Sequence, residues 1–288
     1  MRFWQSLAFT EPEQLVALAR IAEEVGFHGV MVSDHLFYPG KLGSRYPYSP
    51  DGTPGFTADT PWPEPWSAIA AMAAVTTRLC FTTAVYILPL RHPLEVAKAT
   101  ATAAVLSGNR VALGVGAGWM KEEFDALGVD FHARGQRTDE MIEVLHKLWS
   151  GGMVEHHGAC FDFERLQLSP APSAPLPIWI GGASEAALRR AARLDGWIGA
   201  GNTRADLQVI LERLRVLRRA AGRAEQPFET VCALFEPIAA DDVAALEDAG
   251  VTSLVSYPLA FAIGPHSSLE QKRGALERYA EQLITRAH

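Results

Sequence analysis

The fold is decided by residues 111–119, which read Val-Ala-Leu-Gly-Val-Gly-Ala-Gly-Trp. An apolar segment of strand length runs into three closely spaced glycines, and a helical pattern follows from Met120. Glycines at a strand exit let the backbone approach a ligand or adopt positive φ. The N–H groups at the start of the next helix then suit an anion. The spacing is not the dinucleotide-binding fingerprint, so the alternatives are another kind of ligand loop and a simple strand-to-helix turn.

The same strand-then-helix pattern recurs about eight times along the chain. Its strands are short and apolar, as expected when both faces are buried, and alternation with helices indicates parallel pairing. Eight such units in 288 residues fit a closed (β/α)8 TIM barrel. A doubly wound open sheet is the alternative. We predict one domain over residues 1–288, with insertion loops after the second strand (Leu36–Thr60) and before the fifth (Gly151–Pro177).

Composition argues against several classes of function. The chain is 48% hydrophobic with a net charge of −7, which disfavours nucleic acid and anionic membrane surfaces as partners. Its three cysteines (Cys80, Cys160 and Cys232) are far apart and odd in number, so they indicate neither a disulfide framework nor a metal site. With no signal-type segment or bilayer-spanning apolar run, we expect a cytoplasmic protein that binds a small molecule and no metal.

Polar residues at the predicted strand exits are the candidate chemistry, because barrel enzymes carry their active sites there. Asp34-His35 follows the second strand, and histidine is the side chain best suited to exchanging protons near neutral pH. The alternative for His35 is a histidine hydrogen-bonded within its loop, and Asp34 could support it or cap the loop. His92 is better explained as a helix cap, and His156 and His157 lack partners at metal-ligand spacing.

A second glycine segment follows the fifth strand, at Gly181-Gly182-Ala183-Ser184. Ser184 suits a helix N-cap with free N–H groups behind it, so this segment is either an anion cradle or a simple cap. Two glycine segments on neighbouring strands favour a ligand whose phosphate tail lies across the barrel rim.

Taken in chain order, these motifs resemble those of the bacterial luciferase-like monooxygenase superfamily, most closely its F420-dependent oxidoreductase branch. The resemblance spans nearly the whole chain and is weakest after about residue 200. Each motif alone is loose, and the ordered set is specific. The segments that carry it are Ser33–His35, Ser44–Gly52, Thr60–Pro63, Leu88–Pro93, Ser107–Arg110, Gly114–Trp119 and Gly181–Ser184.

The resemblance implies a barrel that holds a deazaflavin or flavin at the carboxyl ends of its strands, and a homodimer. It implies that the flat ring lies against the end of the third strand, where the family often has a non-prolyl cis peptide. The matching bond joins Ala84 and Val85. By the same match, Asp34 and His35 are the catalytic candidates, and the cofactor-binding candidates are Ala84, Val85, Gly116, Ala117, Gly118, Trp119, Gly181, Gly182, Ala183 and Ser184, the last four for phosphate.

One departure from the family pattern concerns the substrate and the cofactor. Relatives that oxidise a sugar phosphate place a glutamate just after the glycine loop, where this chain has Gly118-Trp119. Members closer to luciferase also carry a glycine–tryptophan pair and use FMN. We therefore expect hydride transfer with coenzyme F420 and an unknown small substrate, with an FMN-dependent monooxygenase as the alternative and a non-enzymatic cofactor-binding homologue as a third reading.

Overall fold

The computed structural model describes residues 1–286, so positions 287 and 288 of the predicted domain lie outside it. The described residues form eleven strands, and the apolar segments predicted as strands coincide with those of the main sheet. The strands are β1 (Arg2–Ser6), β2 (Gly29–Val32), β3 (Cys80–Thr83), β4 (Tyr86–Ile87), β5 (Val111–Gly116), β6 (Met153–His157), β7 (Asp162–Gln167), β8 (Ile178–Gly181), β9 (Gly196–Ile198), β10 (Glu229–Cys232) and β11 (Ser253–Ser256).

Nine of these strands form one parallel sheet that closes on itself. β1 pairs with both β2 and β11, and β5 pairs with β3, β4 and β8. β3 and β4 are two halves of one barrel strand, separated at Ala84–Val85, where the peptide bond is cis as the family resemblance implied. Counted this way the sheet has eight strands, which confirms the predicted TIM barrel and rules out an open sheet.

Helices surround the barrel and begin where local sequence favours a start. Proline occupies the first turn of α2 and α3, and serine or threonine caps α6, α7 and α10. The short helix after β11 was not predicted. The helices are α1 (Leu15–Glu24), α2 (Pro65–Ala73), α3 (Pro93–Ser107), α4 (Lys121–Ala126), α5 (Arg134–Trp149), α6 (Glu185–Ala191), α7 (Arg204–Ala220), α8 (Ala240–Asp248), α9 (Leu259–Ile263) and α10 (Leu269–Tyr279).

The apolar core has two layers. The larger layer lies between the sheet and the helices. The smaller layer fills the barrel and includes Trp4 and Trp179, whose rings meet edge to face with centroids 5.6 Å apart. Ala84, Val85 and Tyr257 are only partly buried and pack against this inner layer. These three residues therefore form an apolar floor at the carboxyl end of the barrel.

Both predicted insertions are present. Residues 33–64, the β2–α2 loop, follow β2, and β6 and β7 form an antiparallel hairpin ahead of the fifth barrel strand. Glu140 on α5 fastens that hairpin by accepting hydrogen bonds from the N–H groups of Cys160 and Phe161, and it lies 3.2 Å from His156 Nε2. Among residues 1–286, none of the helices combines the length and apolarity needed to cross a bilayer.

Candidate active site

His35 lies at the exit of β2 and is paired with a buried carboxylate. Its Nδ1 is 3.2 Å from Glu123 Oε1, and the same oxygen accepts a hydrogen bond of 2.7 Å from the N–H of Leu36. Glu123 is fully buried on α4, and its second oxygen has no partner among the described residues. A buried carboxylate is stable only when it is hydrogen-bonded or paired, so Glu123 and His35 form one unit.

Three aromatic side chains enclose the imidazole. The rings of Phe56 and Trp62, both from the β2–α2 loop, have centroids 5.0 Å from that of His35, and Trp119 lies at 5.7 Å. Trp62 and Trp119 meet the imidazole edge to face. Side chains packed in this way leave the imidazole few alternative rotamers, so the β2–α2 loop and the segment after β5 together fix its orientation.

Asp34 is paired with Arg91. Support of His35 was one of the two roles left open for Asp34. In the structure Asp34 is buried and accepts hydrogen bonds from both terminal guanidinium nitrogens of Arg91, at 2.5 and 2.7 Å, and from the N–H of Ile87 at 2.9 Å. Burial alone would lower the pKa of Arg91, but the hydrogen bond and charge of Asp34 outweigh it and raise that pKa. The ion pair thus fixes β4 and the segment after it to the exit of β2.

The glycines at two strand exits make room for Val85. A Cβ placed on Gly116 would lie 2.5 Å from Val85 Cγ2, and one on Gly181 would lie 2.5 Å from Val85 Cγ1. Both distances are far shorter than a real Cβ contact allows. The side chain that follows the cis bond therefore sits between the two glycine segments, at the mouth of the barrel.

The remaining predicted residues of the first glycine segment lie beside this floor. Gly118 has φ +83°, and a Cβ there would meet Phe124 at 2.8 Å. Ala117 and Trp119 are partly exposed, and the Trp119 ring contacts Tyr46 of the β2–α2 loop at 5.1 Å. The loop therefore reaches across this edge of the mouth.

The second glycine segment has the backbone of a helix start. Gly182 has φ +106°, and the Ser184 hydroxyl accepts a hydrogen bond from the N–H of Ala187, as a cap would. Within residues 1–286, the N–H groups of Ala183 and Ser184 donate to no other group. The Tyr48 hydroxyl is near, because a Cβ on Gly182 would lie 3.5 Å from it. Backbone donors and a hydroxyl therefore meet at this corner of the mouth.

Glu122, next to Glu123, anchors the β2–α2 loop. It accepts hydrogen bonds from the N–H groups of Gly43 and Ser44 at 2.6 and 3.0 Å and from the Ser44 hydroxyl at 2.7 Å. Burial raises the pKa of Glu122, but these hydrogen bonds outweigh it and lower the pKa to about 2. Two successive residues of α4 therefore have separate roles: Glu122 holds the β2–α2 loop and Glu123 holds His35.

Two contributors to this site were not assigned from the sequence. Arg91 was noted only as part of a motif, and Glu123 was not singled out. The available signal for Glu123 was its position. It stands in the first turn of the helix that follows the glycine segment, four residues after Trp119. His92 caps α3 as predicted, with Nδ1 accepting from the N–H of Leu94.

Comparison with protein families gives one match over almost the whole chain. The model described as luciferase-like monooxygenase matches residues 3–287. The chain belongs to this family. This match confirms the resemblance inferred from the ordered motifs. Some relatives of this chain are named as F420-dependent enzymes.

Two relatives illustrate its range. An uncharacterized protein of Mycobacterium tuberculosis is 40% identical over 288 residues, 99% of this chain and all of the relative. An F420-dependent glucose-6-phosphate dehydrogenase of Nakamurella multipartita is 30% identical over 96% of this chain and 78% of its own length. The luciferase-like chain described here is therefore similar over 96% of its length to an F420-dependent enzyme.

Solved structures agree on the fold. The monooxygenase RslO1 from Streptomyces bottropensis superposes with a TM-score of 0.77 at 20% identity, covering all of both chains. A coenzyme F420-dependent tetrahydromethanopterin reductase from Methanopyrus kandleri gives 0.75 at 16% identity, over all of this chain and 99% of that one. At these identities the likeness concerns the luciferase-like barrel alone.

Proposed function

We propose that this protein is an oxidoreductase that exchanges a hydride between coenzyme F420 and a small organic molecule at the barrel mouth. The observation that carries the proposal is the His35–Glu123 pair at the exit of β2, at the same end of the barrel as the split third strand. A histidine fixed by a buried carboxylate at a barrel strand exit is suited to moving a proton. The F420-dependent relative that matches 96% of this chain supports the choice of coenzyme.

The residues at the mouth fit a flat ring with a phosphate-bearing tail. Ala84, Val85 and Tyr257 give an apolar floor over the inner core, against which a ring can pack. Gly181 and the residues after it offer the unengaged N–H groups of Ala183 and Ser184, which suit phosphate oxygens. We assign Ala84, Val85, Gly116, Ala117, Gly118 and Trp119 to the ring side and Gly181, Gly182, Ala183 and Ser184 to the phosphate.

When bound, F420 supplies the carbon that accepts or gives the hydride. His35 exchanges the accompanying proton with the substrate. In this mechanism Glu123 acts as an accepting carboxylate, so His35 donates to it through Nδ1 and exchanges the proton with the substrate through Nε2. Asp34 acts indirectly by holding Arg91 and the backbone of Ile87, which keeps the third strand in place.

An equilibrium titration of the purified protein with F420 and, separately, with FMN tests the coenzyme. We expect saturable binding of F420, followed by fluorescence quenching, and weak or no binding of FMN. Tight FMN binding with no response to F420 would instead support an FMN-dependent monooxygenase, for which Gly118-Trp119 is the favouring observation. Binding of neither F420 nor FMN would instead support the hypothesis of a non-enzymatic homologue.

A further inference from the structure

The exposed aromatic side chains of this protein are unevenly distributed. Among residues 1–286, three Phe, Tyr or Trp residues are exposed. They are Tyr48, Phe235 and Phe261, at 43%, 60% and 61% of their full accessibility. Each follows the carboxyl end of a barrel strand, so all three surround the mouth. Exposed apolar surface gathered in one place marks a binding site, and aromatic rings are the side chains most used for it.

Ring contacts connect part of this surface to the candidate active site. Phe261 contacts Phe9 at 5.2 Å, Phe9 contacts Trp62 at 5.6 Å, and Trp62 contacts His35 at 5.0 Å. On the neighbouring side of the mouth, Phe235 and Tyr257 are stacked, with centroids 6.2 Å apart and planes 16° from parallel. A ligand at the mouth therefore meets ring faces and edges on more than one side.

Two polar atoms beside the stacked pair lack a hydrogen-bond partner within residues 1–286 and can accept a hydrogen bond. A Cβ on Gly201 would lie 2.9 Å from the Phe235 ring and 3.3 Å from the Tyr257 hydroxyl, so this strand exit adjoins the pair. The Tyr257 hydroxyl and Glu236 Oε2 are buried without a hydrogen-bond partner among the described residues. A buried orphan of this kind is costly, and a ligand that donates a hydrogen bond would satisfy it.

Three arginines near these strand ends are engaged. Arg91 is bound by Asp34, Arg134 donates to the carbonyl of Gly118, and Arg204 pairs with Asp242. A phosphate group placed near Phe235 would be repelled by the carboxylate of Glu236. None of these three arginines is free to compensate the phosphate charge. These three arginines therefore offer no unengaged guanidinium for an anionic substrate beside Phe235.

We propose that the substrate is an uncharged, planar aromatic or polycyclic molecule with a hydroxyl group, stacked on the exposed ring of Phe235 beside Tyr257 and donating a hydrogen bond to Glu236 or to the Tyr257 hydroxyl. The proposal rests on the function proposed above and specifies its substrate class. It also separates this chain from its named relative that acts on glucose 6-phosphate.

Calorimetric titration with three probes tests the proposal: 2-naphthol, 2-methoxynaphthalene, which lacks the donor, and glucose 6-phosphate. The full chain is used with and without F420, and variants are checked for native circular dichroism. We expect 2-naphthol to bind at least tenfold more tightly than the other two probes. Equal or tighter binding of glucose 6-phosphate, or no binding of 2-naphthol in either state, would overturn the proposal.

Variants locate the binding. Phe235→Ala should weaken 2-naphthol binding about fivefold to tenfold, because it removes a stacking face, whereas Met153→Ala, which alters an exposed apolar residue on the hairpin, should change it less than twofold. Glu236→Ala and Tyr257→Phe each remove one of the two proposed acceptors, and at least one of these variants should weaken binding of 2-naphthol while leaving that of 2-methoxynaphthalene unchanged. Equal effects of Phe235→Ala and Met153→Ala would place the probe elsewhere and refute the proposal.

The two proposals fail in different ways. If F420 does not bind while 2-naphthol still binds in a Phe235-dependent manner, the coenzyme assignment is wrong and the substrate class stands for the same mouth. If F420 binds normally and 2-naphthol does not, the substrate class is wrong and the coenzyme assignment stands.

Discussion

Glu123 and His35 are 88 positions apart in the chain, yet Glu123 Oε1 lies 3.2 Å from His35 Nδ1. The pairing predicts that each residue affects catalysis in its own way. His35→Ala should reduce turnover with F420 by about 10²–10⁴-fold, the usual contribution of a general acid or base, while the Kd for F420 changes little. Steady-state kinetics and a coenzyme titration measure both. Unchanged turnover would remove His35 from the proton transfer.

Glu123 acts through His35, so its substitutions should be graded. Glu123→Gln keeps an oxygen that accepts from Nδ1 and should lose about tenfold in kcat, whereas Glu123→Ala frees the imidazole and should lose about as much as His35→Ala. The double variant Glu123→Ala/His35→Ala should be no worse than His35→Ala alone. Additive losses in the double variant would show that Glu123 works independently of His35.

The Asp34–Arg91 pair predicts a loss of stability. Asp34→Asn would leave a partly buried guanidinium without its carboxylate, and breaking a buried pair from one side costs up to about 3–5 kcal/mol in free energy of unfolding. Urea denaturation measures this loss. Asp125→Asn breaks the exposed Lys121–Asp125 pair and serves as the control, for which we expect less than about 1 kcal/mol. Similar values for the two variants would contradict the structural role assigned to Asp34.

The sequence was sufficient for the fold and for the strand exits, and insufficient for the partners of the site residues. Strands end where an apolar segment runs into glycine or proline, as at residues 111–116. Such local patterns can be recognised from the sequence alone. The partner of Asp34 is Arg91, 57 positions away, and no local pattern indicates which charged group a carboxylate will face. Likewise, Gly116 was assigned to the ring side and Gly181 to the phosphate, and no local pattern indicated that Val85 packs against both glycines.

Packing of Val85 against Gly116 predicts that substitutions at the two positions have non-additive effects on the free energy of unfolding. Gly116→Ala would bring a methyl group to 2.5 Å from Val85 Cγ2, and overpacking of this kind costs about 1–3 kcal/mol in free energy of unfolding. Removing the clashing methyls with Val85→Ala should restore part of that loss in the double variant. Gly128→Ala provides no such test of packing, since a Cβ at Gly128 meets nothing within 4 Å. Strictly additive effects of Gly116→Ala and Val85→Ala would contradict the proposed contact.

The low pKa of Glu122 predicts a pH-dependent anchor for the β2–α2 loop. Because hydrogen bonds lower this pKa from the ordinary 4.5 to about 2 in the folded protein, its contribution to stability is fully present above pH 4.5 and is lost as the pH falls toward 2. Screening at this partly exposed site limits the contribution to about 1–2 kcal/mol. The difference in free energy of unfolding between the wild type and Glu122→Gln should therefore shrink as the pH falls from 5 to 3.

The same variant should loosen the loop at neutral pH. Lys41 and Arg45 lie in the anchored segment, and limited trypsin digestion at these two positions should be several-fold faster in Glu122→Gln than in the wild type, because Gly43 and Ser44 lose their charged acceptor. Asp125→Asn, on the same helix but without a contact to the loop, should be cleaved at the wild-type rate. A digestion rate that is equal in all three proteins, together with a pH-independent stability difference, would show that Glu122 does not anchor the loop.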